Sequence, residues 1–161
     1  NEGRLNGAWF TLPISMDEIF NKIFKPHELD ENGNPHGDWA IHDYEAPFEI
    51  QEHTDIKYLN EIAELFESMS TEDIQIACSL HREGIIWDLT EAKDAVDHVI
   101  RFHGSKNMSD IAYSIIQDRY GNSEEHKLFL RHFDYESYGD ELETSGTYVF
   151  VNNELAVQYL N

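Results

Sequence analysis

The 161-residue chain sets 32 Asp and Glu against 11 Lys and Arg, a formal charge of -21, while 40% of its residues are hydrophobic and 12% aromatic. Enough apolar surface to build cores excludes a disordered acidic tail, and the lack of a basic stripe excludes direct binding to nucleic acid. No 18-residue apolar run or signal segment occurs, so the sequence predicts a soluble cytoplasmic protein with no membrane association.

The first third reads as mixed sheet and helix. Arg4 to Pro13 is apolar and aromatic between Gly and Pro punctuation, which predicts a strand ending at Pro13. Ser15 to Glu18 forms a capping-box sequence, followed by Met16, Ile19, Phe20 and Ile23 on one helical face, so a helix is expected to end near Phe24. Pro26 to Asp38 reads as a polar loop. Trp39 to Ile50 then alternates in part, with Pro47 demanding an edge, a bulge or a break.

The middle third reads as three short amphipathic helices packed as a small bundle. In the first, capped by Thr54, Ile56, Leu59, Ile62, Phe66 and Met69 make one stripe while Glu61, Glu64 and Glu67 project from the other side. A second starts near Ser70 with Ile74, Ala77, Cys78 and His81 inward and stops at Gly84. After the hydrophobic link Ile85-Ile86-Trp87, a third is expected from Thr90, with Ala92, Ala95, Val96, Val99 and Ile100 inward and Gly104 as its end.

In the last third, Ser109 is expected to cap a helix through Ile111, Ala112, Ile115 and Ile116, stopped by Gly121. Ser123 starts another, with Leu128, Phe129 and His132 facing in. Phe133 to Tyr148 carries five carboxylates and reads as too polar for a core element. Thr147 to Val151 is β-prone, and Asn152-Asn153 turns it back into Ala156 to Tyr159 as a hairpin, with a helix over Glu154 to Leu160 as the competing reading.

The excess charge is not confined to one block. Residues 1–55 hold a net of -9, residues 56–103 a net of -6 and residues 104–161 a net of -6. Charge of that size destabilises a compact state by self-repulsion, and a large basic partner would relieve it. The competing explanation is a merely soluble or salt-adapted surface.

Chemistry is hard to find. The nine histidines show no H-E-x-x-H or clustered Cys and His spacing, and Asp30 to Asn34 starts a calcium loop that Pro35 to Asp38 does not complete, so no metal and no cofactor is expected. The single Cys78 allows no intramolecular disulfide, which suits a reducing compartment, and it reads as a small buried hydrophobe. No nucleophile elbow, phosphate loop or dinucleotide fingerprint is present, so the chain does not read as an enzyme.

Three stretches together resemble the ArdA antirestriction family. They are Asn1 to Phe10 with Leu12-Pro13, Trp39 to Phe48, and Asp134 to Leu142 with Ser145-Gly146-Thr147. The resemblance implies an α+β fold arranged as an elongated chain of three small domains, the first and last mixed and the middle helical. Carried onto this chain, these are residues 1–52, 53–104 and 105–161, the last pairing subunits into a homodimer. The chain begins inside the first motif, so the first domain's sheet is expected to lack a strand. The resemblance also implies a protein of conjugative mobile elements that mimics B-form DNA. It would occupy the cleft of a type I restriction-modification enzyme, at its methyltransferase and specificity subunits.

Under that reading Asp17, Glu28, Asp43, Glu61, Glu64, Glu67, Glu72, Asp94, Asp97, Glu124 and Glu125 stand in for phosphates. Asp134, Tyr135, Glu136, Tyr138, Gly139, Asp140, Glu141 and Leu142 match the family's antirestriction motif, either as a contact surface or as a packed turn or dimer seam. At one charge per 1.7 Å of duplex axis, -21 corresponds to roughly 36 Å of DNA, and a dimer to about 71 Å. Two other readings compete. An acidic adaptor without mimicry would bind a basic protein through one patch, and a hydrolase would use paired carboxylates in a pocket.

Overall fold

A computed structural model describes residues 7–24, 31 and 39–160. The chain divides into two compact units, residues 1–70 and 71–161. The sequence expectation places boundaries at 52/53 and 104/105. Mixed α+β character is observed: the described residues form seven α-helices and one three-stranded antiparallel sheet.

The first unit holds α1 (Met16–Ile23) and α2 (Ile56–Glu67). The capping box closes as expected, Ser15 accepting from the Glu18 amide and Glu18 from the Ser15 amide. Helix α2 is capped by Asp55 rather than Thr54, whose hydroxyl accepts from the Gln51 amide instead. Ile19, Ile56 and Leu59 form the core, with Phe10, Leu12, Ile14, Trp39, Ile41, Phe48 and Ile50 packed around it.

The strand expected to end at Pro13 is not formed among residues 7–13; residues 1–6 lie outside the described set. Burial nevertheless alternates from Ala8 to Met16, half-buried residues separated by exposed ones. The segment has no ladder partner, and it bends at Leu12 and Pro13. A side chain supplies the pairing at its end: Asn60 Nδ2 donates to the Ile14 carbonyl at 2.6 Å, and the Ile14 amide donates to Asn60 Oδ1 at 2.9 Å. Residues 39–50 likewise contain no strand, and Ile41 makes one backbone bond, to the Glu52 carbonyl at 2.8 Å. The expected Pro26 to Asp38 loop falls outside the described residues, apart from Glu31.

The second unit builds on the sheet β1-β3-β2: β1 (Val99–His103), β2 (Thr147–Asn152) and β3 (Leu155–Tyr159). The hairpin reading of the C-terminus is correct, with Val149 opposite Val157 and a bulge between Phe150 and Asn152. Here α3 (Thr71–Arg82) packs on β2 and on α4 (Ala92–Asp97), and α5 (Met108–Tyr120) packs on α7 (Tyr135–Ser145). Helix α3 ends in a Schellman motif: Gly84 has φ +70, its amide donates to the His81 carbonyl, and the Ile85 amide donates to Leu80.

Three expectations need correction here. The helix expected from Thr90 to Gly104 is a 3-10 turn over Leu89–Glu91, the short α4, and then β1. Val99, Ile100 and Phe102 are β-branched or aromatic, and pairing Val99 with Tyr159 and Phe102 with Ala156 overrides the helical spacing. Second, Leu128, Phe129 and His132 do not face in: α6 is a single turn, Lys127–Leu130, and Leu130 is its buried residue. Third, the acidic stretch after Phe133 is a core element. Asp134 caps α7 by accepting from the Ser137 amide, and Gly139 is buried. The cap of α5 also differs, being Asn107 rather than Ser109.

Candidate partner-binding surface

Helix geometry sorts the carboxylates. On α2, Glu61, Glu64 and Glu67 are exposed while Ile56, Leu59 and Ile62 are buried. At 100° per residue the two stripes lie about 140° apart, and the three acids span about 9 Å along the axis. None has a cationic partner among the described residues.

Helix α7 carries a second row. Glu136, Asp140 and Glu143 are exposed at i, i+4 and i+7, within about 60° of one another and over about 10 Å. Its flank about 100° round from the row, with Leu142 and Gly139, packs on α5, and Leu142 touches the core of Phe102, Ile111 and Ala156. Glu143 was missed in the sequence reading; with the segment not taken as a helix, its spacing from Glu136 and Asp140 had no meaning. Glu141 is exposed but off this row.

The remaining expected carboxylates are scattered. Asp17 is exposed in the first turn of α1, and Asp43 is exposed with Oδ1 accepting from the Tyr44 amide at 2.9 Å. Asp94 and Asp97 are exposed on α4, with His98 Nδ1 at 3.9 Å from Asp94. Glu124 is paired with Lys127, and Glu125 is exposed. Glu72 is half-buried and already engaged: Arg101 Nε lies 3.5 Å from it and His103 Nδ1 3.9 Å. The same guanidinium reaches Asp73 at 2.7 Å, so Glu72 helps tie β1 to α3. Glu28 lies outside the described residues. The capping box gives Glu18 a perturbed titration, its pKa lowered by the Ser15 amide and hydroxyl that stabilise the carboxylate.

The motif residues Asp134 to Leu142 are the first two turns of α7 with their cap, not a loop. Tyr135 Oη donates to the Leu130 carbonyl at 3.1 Å, and its ring lies 5.0 Å from Phe133 and 5.3 Å from Tyr113. Phe133 also meets Tyr138 and Phe129 edge-on. This aromatic cluster continues to the surface through Tyr113 and Phe129, exposed at 53% and 65%, and Leu128, next to Phe129 in the chain, is exposed at 68%.

Among the described residues no group of three His, Cys, Asp or Glu side chains is placed to hold a metal ion, and no helix is long and apolar enough to cross a membrane. Burial pushes the Cys78 thiol up to about 11, which leaves it protonated at neutral pH.

A family model described as "Antirestriction protein (ArdA)" matches residues 1–157. No curated protein matches the chain. With nearly the whole chain covered, it belongs to the ArdA antirestriction family, whose members are non-enzymatic inhibitors.

Proposed function

We propose that this chain blocks restriction by mimicking B-form DNA in the cleft of a type I restriction-modification enzyme, against its methyltransferase and specificity subunits. The carrying observation is the pair of exposed carboxylate rows on α2 and α7, set away from the faces those helices bury. Each row presents a charge about every 5 Å of helix axis. A single DNA strand carries one every 3.4 Å, so a groove lined with Lys and Arg for phosphates meets a comparable charge density. Charge-assisted bonds to those side chains are the recognition chemistry, and no bond is made or broken.

The reading has structural corollaries that belong to the same proposal. The protein acts in the cytoplasm, carried by a conjugative element. Two copies pair through the C-terminal region, where Tyr113, Leu128 and Phe129 leave apolar surface exposed. Mimicry also requires the charge to lie along a line, hence an elongated arrangement of small domains. Limited proteolysis tests the division at 52/53 and 104/105: cuts near both support it, and a single cut near Ser70 counts against it. The function itself is tested by competition between the protein and duplex DNA for a purified type I methyltransferase.

A further inference from the structure

The side chain with the greatest unexplained exposure is Trp87, 87% open to solvent. Its neighbours hold the backbone firmly. Ile86 is 4% exposed and Leu89 1%, so the chain is anchored on both sides of the indole. The Ile85 and Ile86 amides both donate to the Leu80 carbonyl, and His81 Nδ1 donates to the Ile86 carbonyl at 3.2 Å. On the other side Asp88 Oδ1 accepts from the Thr90 amide at 2.9 Å and caps the 3-10 turn. A large ring is thus presented on a fixed backbone, with little entropy left to lose on binding.

Its surroundings are acidic. Glu83 and Glu91 are exposed and Asp88 is half-buried, and the nearby Arg82 is paired with Glu83 at 3.5 Å. An exposed indole with Glu83, Asp88 and Glu91 within four residues of it in the chain suits a guanidinium: the ring face attracts the cation, and the acids offset its charge. Tryptophan is also the residue type most enriched among side chains that dominate binding energy at interfaces.

We propose that Trp87 is an anchor that fixes the second unit on its basic protein partner by stacking against an arginine of the partner's nucleic-acid groove. The proposal rests on the functional reading above and adds to it a discrete contact within a distributed charge surface. The carboxylates attract, and the indole sets position.

The test measures dissociation constants and off-rates of the intact protein, W87A and W87F on a purified type I methyltransferase over a range of salt. Thermal unfolding and sedimentation verify that each variant keeps its fold and assembly. W87A is expected to weaken binding about 30-fold or more, mainly through faster release, and W87F to retain an intermediate affinity. The salt slope stays unchanged, because no charge is removed. Binding by W87A within twofold of the parent overturns the anchor while leaving the functional reading in place. Failure of the parent itself to bind overturns the reading on which the anchor rests.

Discussion

Gly139 of α7 lies directly on the backbone of Met108 in the first turn of α5. A Cβ at this glycine would stand 2.9 Å from the Met108 carbonyl carbon, 3.0 Å from its oxygen and 3.1 Å from the Ser109 nitrogen. These are backbone atoms of a capped helix end, so they cannot rotate away. Ala ordinarily stabilises a helix interior by about 1 kcal/mol over Gly, but here overpacking of about 1–3 kcal/mol opposes it. G139A is expected to destabilise the protein in urea unfolding, and G139V more so. An unchanged midpoint for both would show that α7 does not approach α5 this closely.

The capping box of α1 gives a titration signature. Glu18 has a pKa lowered from 4.5 in the folded protein because the Ser15 amide and hydroxyl bind its charged form. A depressed folded pKa contributes stability that is fully present above the unfolded value and is lost as pH falls through the folded value. S15A is expected to return the Glu18 titration towards 4.5 by NMR and to cost about 1 kcal/mol through the lost cap. An unshifted Glu18 in the parent protein would contradict the box.

The exposed cluster on the second unit makes an assembly prediction. Leu128, Phe129 and Tyr113 stand 68%, 65% and 53% exposed, although the helical spacing of the sequence suggested that the first two face in. If they form the seam of a homodimer, L128S and F129S together shift the protein from dimer to monomer in sedimentation velocity. Their removal is not expected to unfold the monomer, because Leu130 is the α6 side chain that is buried. A parent protein that is monomeric at micromolar concentration would sink this prediction.

What the sequence made legible was mostly local. The capping box, the α2 stripes, the stop at Gly84 and the C-terminal hairpin each carry their cause within a few residues, and each is present in the structure. What failed depended on distant partners. Arg4 to Pro13 has strand composition, yet the pairing partner of Ile14 is the side chain of Asn60, 46 residues away. Val99 and Ile100 continue a helical spacing, but a strand more than fifty residues later pairs with them. The α7 motif looked too polar for a core because five carboxylates hide a sparse stripe of Tyr135, Tyr138, Gly139 and Leu142 at i, i+3, i+4 and i+7, whose burial depends on the approach of α5 to the glycine. The candidate carboxylates were legible as exposed on α1, α2 and α4. Glu72 was less so, since its engagement by Arg101 follows from the strand that was not foreseen.

A distributed charge surface also predicts how substitutions combine. E64Q alone is expected to change inhibition no more than about fivefold, because one exposed ion pair is worth at most about 1 kcal/mol. Neutralising Glu61, Glu64 and Glu67 together, or Glu136, Asp140 and Glu143 together, is expected to weaken inhibition about tenfold or more, with a slower on-rate and a shallower salt dependence. Loss of all inhibition from one carboxylate substitution, with fold and assembly intact, would favour a single-patch adaptor over a mimic.

The central claim is tested most directly by displacement. A labelled duplex is bound to a purified type I methyltransferase at low salt, where electrostatic attraction is strongest, and the protein is titrated in while the anisotropy of the duplex is followed. The account predicts full, competitive release of the duplex, with displacement weakening as salt rises. A duplex that stays bound at saturating protein would contradict it.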